Sequence, residues 1–111
     1  MRLPSKIKFS DKKVLDSFEK LNSSNYENRL IYDSLIKAFE DIENNAFCGI
    51  QIPKRLIPKE YFIRYKINNL WKLNLPNGWR LLYSIESSDT IVVSIILEWM
   101  SHKEYENRFK Y

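Results

Sequence analysis

Between residues 10 and 45, apolar positions recur every three or four residues; from residue 70 to 99 they recur every two. The first spacing is that of a helix with one buried side, and the second is that of a half-buried strand. Val14, Leu15, Phe18 and Leu21 share one helical face, and Ser10 stands where an N-cap would. The sequence NSSN then breaks the pattern, and Ser24 followed by Glu27 has the spacing of a capping box that opens a second helix. Ile31, Leu35, Ala38, Phe39 and Ile42 give that helix an apolar stripe, which fades near Asn44 and Asn45. So short a break predicts an antiparallel helix hairpin. Ahead of it, KIKF at 6–9 alternates and predicts a short edge strand.

Pro53 and Pro58 exclude a continuous helix through residues 50–69, although PKEYFIRY can supply a short one starting at Pro58. Residues 70–75, 79–86 and 90–99 then read as consecutive antiparallel strands, and Ser101 with Glu104 caps a terminal helical segment. The turn between the first two strands decides their register. A two-residue Asn77-Gly78 turn would pair Leu75 with Arg80 and mix the faces. A three-residue loop, with Pro76 leading a type I turn and Gly78 left-handed, pairs Asn74 with Arg80 instead. Trp71, Leu73, Leu75, Trp79, Leu81, Tyr83 and Ile85 then share one face, and Lys72, Asn74, Arg80, Leu82 and Ser84 the other. A one-residue slip would move the apolar set into water, so the second register is the expected one. In the last strand Ile91, Val93, Ile95, Leu97 and Trp99 alternate with Val92, Ser94, Ile96 and Glu98, which puts Glu98 with the polar set. The fold class is α+β: an N-terminal helix hairpin on one face of a small antiparallel sheet, with a short C-terminal helix. The far face is either the solvent side of a two-layer domain or a site.

Composition changes this picture little. The 111 residues are 44% hydrophobic, 29% charged and 14% aromatic, which suits one globular domain over residues 1–111. A single cysteine, Cys48, forms no internal disulfide and fits a reducing, cytoplasmic compartment; beside Phe47 and Gly49 it reads as a buried spectator thiol. One His and one Cys make no specific metal cluster, and no segment is apolar enough for a signal peptide or a membrane span.

Charge changes it more. The net charge is +4, but residues 51–85 carry Lys54, Arg55, Lys59, Arg64, Lys66, Lys72 and Arg80 against Glu60 alone. Such a block is either a polyanion-binding surface or a solvated basic loop. Cleaving a phosphodiester without metal needs a cation for the phosphate, a proton acceptor for the attacking oxygen and a donor for the leaving one. Arg80 and Lys72 suit the first task. His102, Tyr105 and Glu98 are the nearby groups suited to the others. His102 falls in the first turn of the last helix, where the dipole favours a neutral imidazole, and Tyr105 follows on the same face. Each has a plainer alternative: an exposed helix-start residue, a packing residue and a structural ion-pair partner.

The order of a helix hairpin, then LWKLNLP and GWRLLYSI, then an apolar strand, then HKEYENRF resembles the RelE/ParE superfamily of type II toxin–antitoxin toxins, particularly its archaeal RelE-like members. The likeness spans nearly the whole chain. It implies a RelE/ParE-like fold and a metal-independent endoribonuclease that cuts mRNA on the ribosome by attack of the 2′-hydroxyl on the adjacent phosphate. Carried over by position, Lys72 matches a basic residue of the central strand, and Arg80 matches the phosphate-stabilising Arg. His102 and Tyr105 match C-terminal positions used for proton transfer or base stacking. Lys54, Arg55, Lys59, Arg64 and Lys66 would add RNA contacts. The implied partners are a small acidic antitoxin, mRNA and the ribosome, with no cofactor and no membrane. Asn74 departs from the pattern, since RelE-like enzymes often carry a second basic residue there. The ParE branch inhibits gyrase without such a site, so a gyrase inhibitor or a noncatalytic RNA- or partner-binding homologue is the alternative.

Overall fold

The hairpin adopts the register that the side-chain pattern demands. In the computed structural model, which describes residues 2–110, Asn74 pairs with Arg80 and Trp71 with Tyr83, and the Leu75 N–H donates to the Trp79 carbonyl at 2.8 Å. The loop differs from a type I turn. Asn77 (φ 61°) and Gly78 (φ 79°) are both left-handed, a conformation that Gly adopts freely and Asn more readily than most residues.

In chain order the elements are β1 (Lys6–Phe9), α1 (Lys12–Lys20), α2 (Tyr26–Asn44), β2 (Ile50–Gln51), α3 (Lys59–Tyr65), β3 (Trp71–Asn74), β4 (Arg80–Ser87), β5 (Val92–Met100) and α4 (His102–Arg108). The strands form one sheet in the order β1-β5-β4-β3-β2. It is antiparallel except at the β1 edge, where Lys6–Phe9 runs parallel to β5. Two helix caps shift by one residue from their expected positions. Asp11 rather than Ser10 caps α1, accepting from the Val14 N–H at 3.0 Å. Asn25 rather than Ser24 caps α2, accepting from the Asn28 N–H at 2.9 Å. The Ser101–Glu104 capping box on α4 forms as expected. Among the described residues no helix is long and apolar enough to cross a membrane.

One face of the sheet packs on α1 and α2. Leu35, Ala38, Phe39 and Ile42 meet Leu75, Leu81, Tyr83 and Ile96, with Trp71, Leu73, Trp79 and Trp99 at the margin. Aromatic side chains fill this layer: Phe18 lies 4.9 Å from Tyr32, 5.2 Å from Phe39 and 5.5 Å from Phe9, centroid to centroid.

The opposite face is not an open solvent side. Ile52, Ile57, Tyr61, Ile67 and Leu70 join Leu82, Leu97, Met100, Tyr105 and Phe109 in a second core. Residues 52–70, α3 included, and α4 therefore cover this face, and Leu82, grouped by alternation with polar residues, is fully buried there. The alternation expected along β5 also breaks. The β4–β5 register shifts between Leu82, paired with Glu98, and Tyr83, paired with Ile96, leaving Leu97 as an extra residue. That bulge turns Ile96 toward α2 and Ile95 and Leu97 toward the second core, the reverse of the simple pattern.

The chain leaving α2 is clamped to the sheet by Tyr83. Its buried hydroxyl donates to the Ala46 carbonyl at 2.6 Å and accepts from the Gly49 N–H at 3.1 Å. Gly49 passes so close that a Cβ there would lie 2.6 Å from the Lys72 carbonyl oxygen. Tyr83→Phe removes both bonds while keeping the ring. It is expected to lower stability by about 1–3 kcal/mol, read as a lower urea midpoint at unchanged slope.

Candidate functional site

β3, β4 and α4 meet at one end of the sheet, and the pairing of Arg80 with Met100 fixes that meeting. Met100 ends β5, Ser101 caps α4, and α4 begins with His102. The end of β5 thus delivers His102 and Tyr105 beside the first residue of β4.

Tyr105 is buried, at 4% exposure, and stacks on Phe109 with centroids 4.6 Å apart. Two cations lie over its ring: the Lys72 Nζ at 4.9 Å and the Arg80 guanidinium carbon at 5.6 Å from the centroid. Such contacts are worth about 0.5–2 kcal/mol each, depending on how dry they are. Here they hold two like charges near one another. Lys72 registers the strain: burial, and secondarily Arg80, lower its pKa from the usual lysine value. Among the described residues neither Lys72 nor Arg80 forms an ion pair with a carboxylate.

Arg80 is held from two sides. Its Nη1 donates to the Gly78 carbonyl at 2.7 Å and the Trp79 carbonyl at 3.3 Å, and its Nη2 lies 3.2 Å from His102 Nδ1. Its Nε is buried with no hydrogen-bond partner among the described residues. The far side of the imidazole, Nε2, lies 3.0 Å from Glu106 Oε1. Gly78 lets the turn and α4 approach, since a Cβ there would lie 3.1 Å from the His102 Cβ.

Lys72, Arg80, His102 and Tyr105 therefore come together. Tyr105 serves as a ring under the cations, and its burial is that of a packing residue. The basic residues of 54–66 disperse. Lys54 and Arg55 are exposed on the turn before α3, and Lys59 is exposed at that helix's start. Arg64 lies over Tyr65 and borders a hollow with Lys13, Ser17 and Glu98. Lys66 ends α3 in the left-handed conformation and borders another hollow with Asn69, Glu86 and Ser87. That hollow lies at the far end of β4 from Arg80, roughly 20 Å away at the usual strand rise.

Glu98 pairs with Arg108, which also donates to the Tyr61 hydroxyl at 3.4 Å. The Tyr65 hydroxyl donates to Glu98 at 3.4 Å, and burial pushes the Tyr65 pKa up to about 12. Glu98 thus belongs to an ion-paired network with Arg108. Burial likewise raises the pKa of Cys48, keeping the half-buried thiol protonated.

Sequence reasoning passed over three participants. Glu106 had a signal in its i,i+4 spacing from His102. The carbonyls of Gly78 and Trp79 had none. Gly78→Ala is expected to cost about 1–2 kcal/mol for the left-handed backbone alone and to move His102. Thermal unfolding checks the first effect, and a shift of the lone imidazole's NMR signals checks the second. Neither a family model, a curated protein nor a solved structure matches the chain.

Proposed function

We propose that this chain is a RelE/ParE-type toxin that cleaves mRNA without a metal, acts on the translating ribosome in the cytoplasm, and is silenced by a small acidic antitoxin. The observation that carries the proposal is the pair of cations, Lys72 and Arg80, over the Tyr105 ring with His102 at the Arg80 guanidinium, and no carboxylate paired to either cation among the described residues. Two cations held together at a cost in solvation are suited to an anion that neutralises both.

In this reading Arg80 and Lys72 bind the scissile phosphate. The phosphate takes the Nη2 donor of Arg80 and frees Nδ1 of His102, which accepts the proton of the attacking 2′-hydroxyl. The 2′-oxygen forms its bond to phosphorus as the bond to the 5′-oxygen breaks. The leaving 5′-oxygen takes a proton from the Lys72 ammonium, whose lowered pKa makes it a better acid than an ordinary lysine. The products are a 2′,3′-cyclic phosphate and a 5′-hydroxyl. Lys54, Arg55 and Lys59 would steer the RNA by its backbone, with Arg64 and Lys66 acting further from the cut.

A second reading is a homologue that binds RNA but does not cut it. It is favoured by the Arg80 guanidinium already donating to two carbonyls and to His102. One experiment separates the two. The purified chain is incubated with translating ribosomes in EDTA, and the mRNA ends are mapped. Cleavage leaving cyclic phosphate is expected, with Arg80→Ala lowering the rate by about 10²–10³-fold while the chain remains folded with a modestly lower thermal midpoint. Arg80→Lys restores little, because an ammonium lacks the planar fork. Binding that weakens with salt but leaves the mRNA intact would establish the second reading and end the first.

A further inference from the structure

Glu106 lies one helical turn after His102 on α4, and its Oε1 is 3.0 Å from His102 Nε2. On the other side of the ring, Nδ1 is 3.2 Å from Arg80 Nη2. A guanidinium has protons to give and no lone pair to offer. Nδ1 therefore meets Arg80 as an acceptor, and Nε2 carries the ring proton and gives it to the carboxylate. The contacts are complementary only in this order. Exchanging the tautomer would set an N–H against the N–H of Arg80 and a bare lone pair against the Glu106 carboxylate.

The pair is not there for stability. The His102 and Glu106 side chains are 56% and 65% exposed, and such surface pairs contribute little to folding. What the contact does fix is the ring itself: its plane, and which nitrogen faces Arg80. The turn at Gly78 leaves no room for a side chain beside the ring's root, and Arg80 approaches from β4. Glu106 is the carboxylate on the solvent side.

We propose that Glu106 is a positioning residue for His102, holding its imidazole as the Nε2–H tautomer so that Nδ1 is the proton acceptor turned toward Arg80 and the anion bound there. The catalytic consequence rests on the nuclease reading; the pairing does not.

The chain has one histidine, so its ring nitrogens can be read without assignment ambiguity in the full-length protein. Long-range proton–nitrogen correlation of the 15N-labelled chain, at a pH where the ring is neutral, is expected to show Nε2 protonated and Nδ1 bare. In Glu106→Ala the two nitrogen shifts should move toward those of an unconstrained imidazole. Glu106→Gln, which keeps an oxygen acceptor, should retain the wild-type pattern. An Nδ1-protonated ring, or the same spectrum in wild type and Glu106→Ala, would overturn the assignment. In the ribosome assay Glu106→Ala should lower kcat by about tenfold at unchanged KM, with Glu106→Gln close to wild type. Unchanged kcat in Glu106→Ala would overturn the catalytic consequence. A chain that cuts no mRNA but shows the expected spectra would end the nuclease reading and leave the positioning role intact.

Discussion

A single extra residue in β5 governs how everything else meets. Opposite Leu82 and Tyr83, β5 supplies Leu97 as a residue with no partner of its own. On one side of that point the strand sends Ile96 to the helix hairpin; on the other it sends Trp99 to the same layer and Met100 to the opposite one. Both layers are thereby filled from a strand whose plain alternation would have filled them differently. The same shift sets Arg80 across from Met100, and hence beside the cap and first turn of α4. Without the bulge the strand end would be out of step by one residue, and His102 would leave the sheet in another direction.

The site inherits its rigidity from the second core. Tyr105 and Phe109 belong to that core, so the ring beneath Lys72 and Arg80 is fixed by packing rather than by the cations it carries. Arg80 is fixed in turn by the carbonyls of a loop whose shape depends on two left-handed residues. Elements remote in sequence thus hold a few polar groups within contact distance, which is what precise positioning requires. Lys72 carries the cost as a lowered affinity for its proton.

Much of this was legible in the chain. The α2 stripe, the capping box at Ser101 and the three-residue hairpin each follow from local spacing, and burial of one face left little freedom in the register. The shared face of Lys72 and Arg80 followed from that register, whereas the place of His102 depends on the bulge in β5. Other features were hidden for physical reasons. Ser10 and Asp11 are both good caps, as are Ser24 and Asn25, and the choice between neighbours depends on how each helix enters the core. The second layer is built largely from residues 52–70, where two prolines break periodicity and burial leaves no repeating trace. A bulge has no signature of its own in a strand that is apolar on both sides. The basic segment reads as one block along the chain, but it crosses the sheet, so Lys66 and Arg80 end far apart.

The guanidinium of Arg80 does not sit with an empty hand. The turn carbonyls and an imidazole nitrogen already engage three of its N–H directions. At the directions already engaged, binding would be an exchange, in which a newcomer has to outbid neutral acceptors that are held in place at no further entropic loss. A nucleobase keto oxygen or an amide is no better a match than what is there, whereas an oxyanion forms shorter and roughly twofold stronger bonds. At those directions the turn would set a threshold that a charged oxygen passes and a neutral one does not.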